Sequence, residues 1–198
     1  MLQGLEVLPD DVQLTQALVA LYTQQGELDK AAAVYRKAMG SSPDEPRFVL
    51  GLASIQERQQ QYDAAIATYE GFLVKNPDNV LATNNLAAML ADHRSDEASL
   101  AKAKELASKL AESNQPALLD TLGWVHYRLG EYDQAAEILS GVVEKAPDVP
   151  VFRYHLGMTY YKQGDTRAAK KILSEAVAED MQYEGVEEAR RVYKEIGG

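Results

Sequence analysis

Apolar residues recur along the chain at the three- and four-residue intervals of a helix face, and the pattern itself repeats. In five stretches beginning near residues 12, 46, 80, 116 and 150, slots 4, 7, 8 and 11 fall on one face at about 100° per residue. Slot 7 is leucine each time: Leu18, Leu52, Leu86, Leu122 and Leu156. Slot 8 is small: Val19, Ala53, Ala87, Gly123 and Gly157. A second apolar stretch follows each of the five and carries an alanine: Ala31, Ala65, Ala103, Ala135 or Ala169. The pattern predicts pairs of amphipathic helices, A and B. Their axes approach at the small residues while Tyr and Leu neighbours fill the space on either side.

Punctuation marks the same period. Pro9, Pro43 and Pro77 lie 34 apart, and Pro147 follows 70 later, two periods plus two. Gly130 and Gly164 are also 34 apart, with Gly26 in the same slot and Gln60 where the second unit would have its glycine. A turn glycine supplies a left-handed C-cap that other residues adopt with strain. The closing prolines end a B helix or open the next A helix without losing a needed N–H. Asp10, Asp44, Asn79 and Asp148 are the candidate caps of the following A helices. Ala103 comes 38 residues after Ala65, so the third unit holds about four extra residues, which the sequence places in a loop near His93–Ser99.

The copies LGMTYYKQGDTRAAKKILSEA (Leu156–Ala176) and LGWVHYRLGEYDQAAEILSGV (Leu122–Val142) resemble the tetratricopeptide repeat. That resemblance extends over nearly the whole chain. It implies an all-α fold, a right-handed superhelix (α-solenoid) of helix–turn–helix repeats. The expected divisions are 1–9, the remnant of a preceding B helix, then repeats at 10–45, 46–79, 80–115 (with the insertion at about 93–99), 116–149 and 150–182. Residues 183–198 are expected to form a capping helix with Val186, Ala189, Val192, Tyr193 and Ile196 on its apolar face. The start at LQGLEVLP reads as the interior of a longer protein.

Composition narrows the function. Of the 198 residues 46% are hydrophobic and 25% charged, which fits a folded chain. There is no cysteine, so disulfides, thiolate metal sites and cysteine nucleophiles are excluded. The net charge is −10: −5 over residues 1–79, −5 over 80–149 and 0 over 150–198. That balance argues against nucleic acid, which needs a basic stripe. No apolar run approaches the roughly 20 residues of a membrane span.

The chain carries no pattern of catalysis. His93, His126 and His155 have no zinc spacing. His126 falls at slot 11, a packed position, and reads as a core histidine with its N–H satisfied. No nucleophile elbow, phosphate loop or dinucleotide fingerprint occurs. Asp120 and His126 are six apart on one helix, so their side chains point about 120° apart, to different faces. The chain is expected to be no enzyme and to need no cofactor or metal.

In the family that the chain resembles, slots 2, 5, 9, 12 and 13 of the A helices line a concave groove where peptides lie. Those slots and their neighbours give the candidate partner-binding residues: Arg47 from the second unit, and Asn84 and Asn85 from the third. The fourth unit adds Asp120, Trp124, Tyr127 and Arg128, and the fifth adds Tyr154, Met158, Tyr161 and Lys162. Exposed aromatics beside arginine are typical interface anchors, so units four and five are the expected contact, and replacing Trp124 and Tyr127 is expected to cost affinity without unfolding the chain. The slots of a carboxylate clamp hold Gln16, Ala20, Gly51, Leu81 and Asn85, which lack its cations and argue against that mode. The resemblance thus implies a scaffold for a protein or peptide.

Homo-oligomerisation through Leu2, Leu5, Val7 and Leu8, or a spacer role in a larger protein, is the alternative. NNLAAMLA, DTLGWVHYRLG and YHLGMTYYKQGD are also similar to the closing repeats of long bacterial proteins of envelope and exopolysaccharide systems. The compartment, cytoplasmic or periplasmic, stays open.

Overall fold

The computed structural model describes residues 11–178 and 181–198. Among these residues it has eleven helices and no strand: α1 (Val12–Gln24), α2 (Leu28–Ser41), α3 (Pro46–Arg58), α4 (Tyr62–Lys75), α5 (Val80–His93), α6 (Glu97–Ser108), α7 (Pro116–Arg128), α8 (Tyr132–Lys145), α9 (Pro150–Gln163), α10 (Thr166–Ala176) and α11 (Val186–Glu195). The chain divides into two compact units, Met1–Met89 and Leu90–Gly198, with α5 passing through the division. Leu2–Leu8 and Asp10 lie outside the described residues.

In the first unit α2 packs on α1 and α3, and α4 packs on α3. Ala31, Ala32, Tyr35 and Ala38 of α2 meet Val19 of α1 and Phe48, Leu52 and Ile55 of α3. Ala31 and Ala65 are fully buried, as the small slot requires. The turn after α1 holds Gly26 at φ +74°, and the turn after α3 holds Gln60 at φ +59°, so a non-glycine residue takes the left-handed conformation there.

In the second unit α7 packs on α6 and α8, and α9 on α7, α8 and α10. Gly123 and Gly157 mark the closest approaches. A Cβ on Gly123 would sit 2.6 Å from Leu139 Cγ, and one on Gly157 would sit 2.5 Å from Leu173 Cδ2. Leu139 and Leu173 are themselves fully buried. Helix α11 packs on α9 and α10, the same relation that α9 has to α7 and α8, and buries Val186, Ala189 and Val192.

Three local expectations change. Asp44 and Asp148 do not cap. Pro46 and Pro150 occupy the first helical position and fix the starts one residue later, so Glu45 and Val149 are the N-caps. Glu45 accepts from the Arg47 backbone N–H at 3.1 Å. Asn79 does cap, accepting from Ala82 N–H at 2.9 Å. The extra residues of the third unit are mostly helix, not loop. Only residues 94–96 separate α5 from α6, and Ala103 is the seventh residue of α6 where Ala135 is the fourth of α8. One added turn absorbs the insertion, started by Asp96, whose carboxylate accepts from Ser99 N–H at 2.9 Å.

Candidate functional site

The candidate residues fall in both units. In the first, Arg47 is exposed and clasps Glu45, with Nε donating to Oε1 at 2.6 Å and a terminal amino group to Oε2 at 3.0 Å. That hydrogen bond holds the Glu45 carboxyl below its ordinary range. Asn84 and Asn85 are half-buried. Asn84 donates to Asn85 at 3.3 Å, and Asn85 donates to the Tyr69 hydroxyl at 3.2 Å.

The other eight candidates lie in the second unit, on α7 and α9, and there the expected exposure fails for several. Trp124 is 7% exposed, Tyr154 4% and Met158 1%. Asp120 is buried as well. The reason is the stacking of A helices. Helix α9 covers the outward face of α7, and α11 covers that of α9. Tyr127, Arg128 and Tyr161 are half-buried, and Lys162 is exposed.

Trp124 is clamped on both faces. Its indole stacks on Tyr127 with centroids 4.4 Å apart and on His155 at 4.1 Å. Its Nε1–H donates to Asp92 Oδ1 at 2.6 Å. His155 Nδ1 lies 2.9 Å from both Asp120 carboxylate oxygens, which only accept, so Nδ1 carries the proton. The Tyr154 hydroxyl donates to Glu188 at 2.8 Å, and the Tyr161 hydroxyl donates to Glu195 at 2.6 Å. Both steps span 34 residues, one period. His126 is half-buried and meets Glu131 at 2.6 Å, which satisfies its ring nitrogen. Two amino–carboxylate bonds from Lys104 to Glu131 are the main reason that the glutamate's pKa is lowered.

These contacts frame a cleft of about 400 Å³ between α7, α9 and α11. Trp124, Tyr154 and His155 line it, together with Arg128, Asp92 and Glu188. The segment before α11 contributes Glu184 and Gly185. Gly185 has φ +92°, and a Cβ there would lie 2.5 Å from the Tyr154 ring, so a side chain would be strained and would collide. Burial, then the Glu188 hydrogen bond and charge, push the Tyr154 hydroxyl far up. Burial, then Glu188, push Tyr127 up to about 12.

Asp92 stands at slot 13 of its A helix and so belongs to the expected groove set, and His155 stands at slot 6 beside it, whereas Glu184, Gly185 and Glu188 lie outside the A-helix slots and the sequence reading misses them as cleft residues. The 34-residue step from Tyr154 to Glu188 was the available signal. Among the described residues no group of three or more His, Cys, Asp or Glu side chains is placed to hold a metal. No described helix is long and apolar enough to cross a membrane.

Comparison with known proteins gives a consistent result. Sequence models of the tetratricopeptide repeat match residues 14–79, 50–114 and 126–191. No curated protein sequence matches. Among solved structures, a thermophilic tetratricopeptide protein from Thermus thermophilus is 19% identical, with 93% of this chain and 97% of that chain covered and a TM-score of 0.71. A tetratricopeptide repeat protein from Parabacteroides merdae ATCC 43184 is 15% identical, with 98% and 78% covered and a TM-score of 0.76. YrrB, described as a tetratricopeptide protein with an unusual peptide-binding site, is 19% identical, with 96% of each chain covered and a TM-score of 0.62.

Proposed function

The chain belongs to the tetratricopeptide-repeat family, and from that premise we propose that it is a non-catalytic scaffold that binds a peptide or protein segment against its A helices. The contact is assigned to the cleft between α7, α9 and α11. What carries the reading is that cleft itself. It is concave, large enough for one or two side chains, and lined by charged groups on a frame of stacked aromatics. The rings pre-order the wall, so little side-chain freedom is lost on binding. Arg128 lines the cleft and keeps its candidate role, and Tyr127, Tyr161 and Lys162 stay candidates on the same two helices, α7 and α9. Trp124, Tyr154, Asp120 and Met158 act as the frame. The peptide-binding site named for YrrB agrees with this class of activity.

The test is selection of peptides from a random display library on the full chain, then titration of the selected peptides against Val151→Phe. Val151 lines the cleft and is half-buried, so phenylalanine there narrows the opening. Binding is expected to shift the fluorescence of Trp124, the only tryptophan, and to weaken at least tenfold in a variant of unchanged helicity. Equal binding by the folded variant sinks the assignment.

A further inference from the structure

We propose that the cleft recognises a cation: a lysine or arginine side chain of the partner segment, held among Asp92, Glu184 and Glu188. This rests on the scaffold reading above and adds the chemistry of its ligand.

Three carboxylates reach the cleft from three places: the end of α5, the segment before α11, and α11 itself. One guanidinium, Arg128, opposes them. It already leans on Asp92, 3.7 Å from Oδ1 and donating to the Asp92 carbonyl at 3.4 Å. An incoming phosphate or carboxylate would therefore face an excess of like charge, with one guanidinium against three carboxylates. An incoming ammonium or guanidinium meets acceptors that are only partly used. Asp92 gives Oδ1 to the indole and keeps its side chain 34% exposed. Glu188 gives Oε2 to Tyr154, and its other oxygen lies 3.5 Å from the exposed Arg191. Glu184 is exposed.

The aromatics decide the mode of recognition. A cation–π cage needs an open ring face, and both faces of Trp124 are covered by Tyr127 and His155. Tyr154 is too buried to offer one. The rings hold the carboxylates in place, and the carboxylates do the binding. The Tyr154 hydroxyl orients Glu188, and the indole N–H orients Asp92. Gly185 lets the backbone before α11 close on Tyr154, which brings Glu184 and Glu188 to the same opening. The raised pKa values of Tyr154 and Tyr127, to which Glu188 contributes after burial, agree with a negative potential there. His155 is taken up in the frame, with its Nδ1 2.9 Å from both Asp120 oxygens.

The experiment uses capped heptapeptide libraries with random flanks and a fixed central Lys, Arg, Gln or Glu, titrated against the full chain. Lys and Arg libraries are expected to yield binders at least tenfold tighter than Gln, and Glu none. Their affinity should fall as salt is raised, since partly exposed charges are screened. Glu184→Gln and Glu188→Gln should each weaken Lys and Arg peptides about fivefold and leave Gln peptides unchanged. The amide introduced by Glu188→Gln still accepts from Tyr154, so the fold is kept. Peptides that lose binding on Val151→Phe yet ignore the central residue and both glutamate variants overturn the cation assignment and leave the scaffold reading standing. No Val151-sensitive binder from any library overturns both.

Discussion

The indole N–H of Trp124 and the carboxylate of Asp92, 32 residues apart, share a 2.6 Å hydrogen bond at the wall of the cleft. The indole is 7% exposed, so removing Asp92 leaves its donor with at most a cleft water in place of a carboxylate. Asp92→Ala should destabilise the second unit by about 1–3 kcal/mol, the usual cost of a buried polar group left unpaired. Asp92→Asn, which keeps an acceptor, should cost less than half of that. Urea unfolding followed by Trp124 fluorescence reads both. Trp124→Ala should cost about 3–5 kcal/mol, because it empties a stack between two rings. That replaces the expectation that this residue can be removed without harm to the fold.

Gln60 at φ +59° occupies the turn position held by Gly26, Gly130 and Gly164 at φ +74°, +77° and +83°. Left-handed backbone strains a residue with a Cβ and costs glycine nothing. Gln60→Gly should stabilise the first unit by about 0.5–1 kcal/mol, the strain relieved less the extra freedom of glycine in the unfolded chain. Circular dichroism during urea unfolding reads the gain. A loss of stability would mean that the glutamine side chain matters more than its backbone.

The same glutamine shows how much the sequence reveals. Its register alone placed it in a glycine slot, and the alanine slots marked the fully buried contacts of every pair. Repeats are legible because each contact recurs at one spacing. The site was less legible for the opposite reason. Projecting α7 alone places Trp124 on the outward face, but burial there depends on what α9 and α11 bring, and a single-helix projection contains neither. His155 and Asp120 meet across helices, so a search for pairs on one helix passes over them. The caps of α3 and α9 were misplaced by one residue because proline at the first helical position outweighs an aspartate two residues earlier.

Gly157 and Gly123 stand where the other units have Ala53, Ala87 or Val19. Two effects oppose each other on Gly157→Ala. Helix propensity favours alanine by about 1 kcal/mol. Against it, the new Cβ falls 2.5 Å from Leu173 Cδ2, and Leu173 is fully buried with nowhere to swing. Overpacking of this kind costs about 1–3 kcal/mol, so the substitution should be net destabilising by up to about 2 kcal/mol. Leu173→Val in the same chain should recover part of the loss, and a double-mutant cycle measures the coupling. Additive effects would show that the two residues do not press on each other.

The Tyr154–Glu188 bond makes a prediction at high pH. Burial comes first, then the hydrogen bond to and the charge of Glu188, and together they raise the hydroxyl's pKa in the folded chain. Tyr127 and Tyr183 rise to about 12, chiefly from burial. A raised folded value means that the neutral phenol is favoured by folding. The stability this contributes is complete below the ordinary tyrosine value of 10.0 and is lost as pH climbs through the folded values. The second unit should therefore weaken between about pH 10 and 12, and these tyrosines should ionise late, at or after unfolding. Ultraviolet absorbance of tyrosinate against pH reads the ionisation, and circular dichroism reads the fold alongside it. Glu188→Gln keeps the acceptor and removes the charge, so Tyr154 should ionise earlier in that variant. Tyr154→Phe should remove one late-ionising tyrosine from the curve. A Tyr154 that titrates near the ordinary value of 10.0 in the folded chain would show that Glu188 does not hold its hydroxyl.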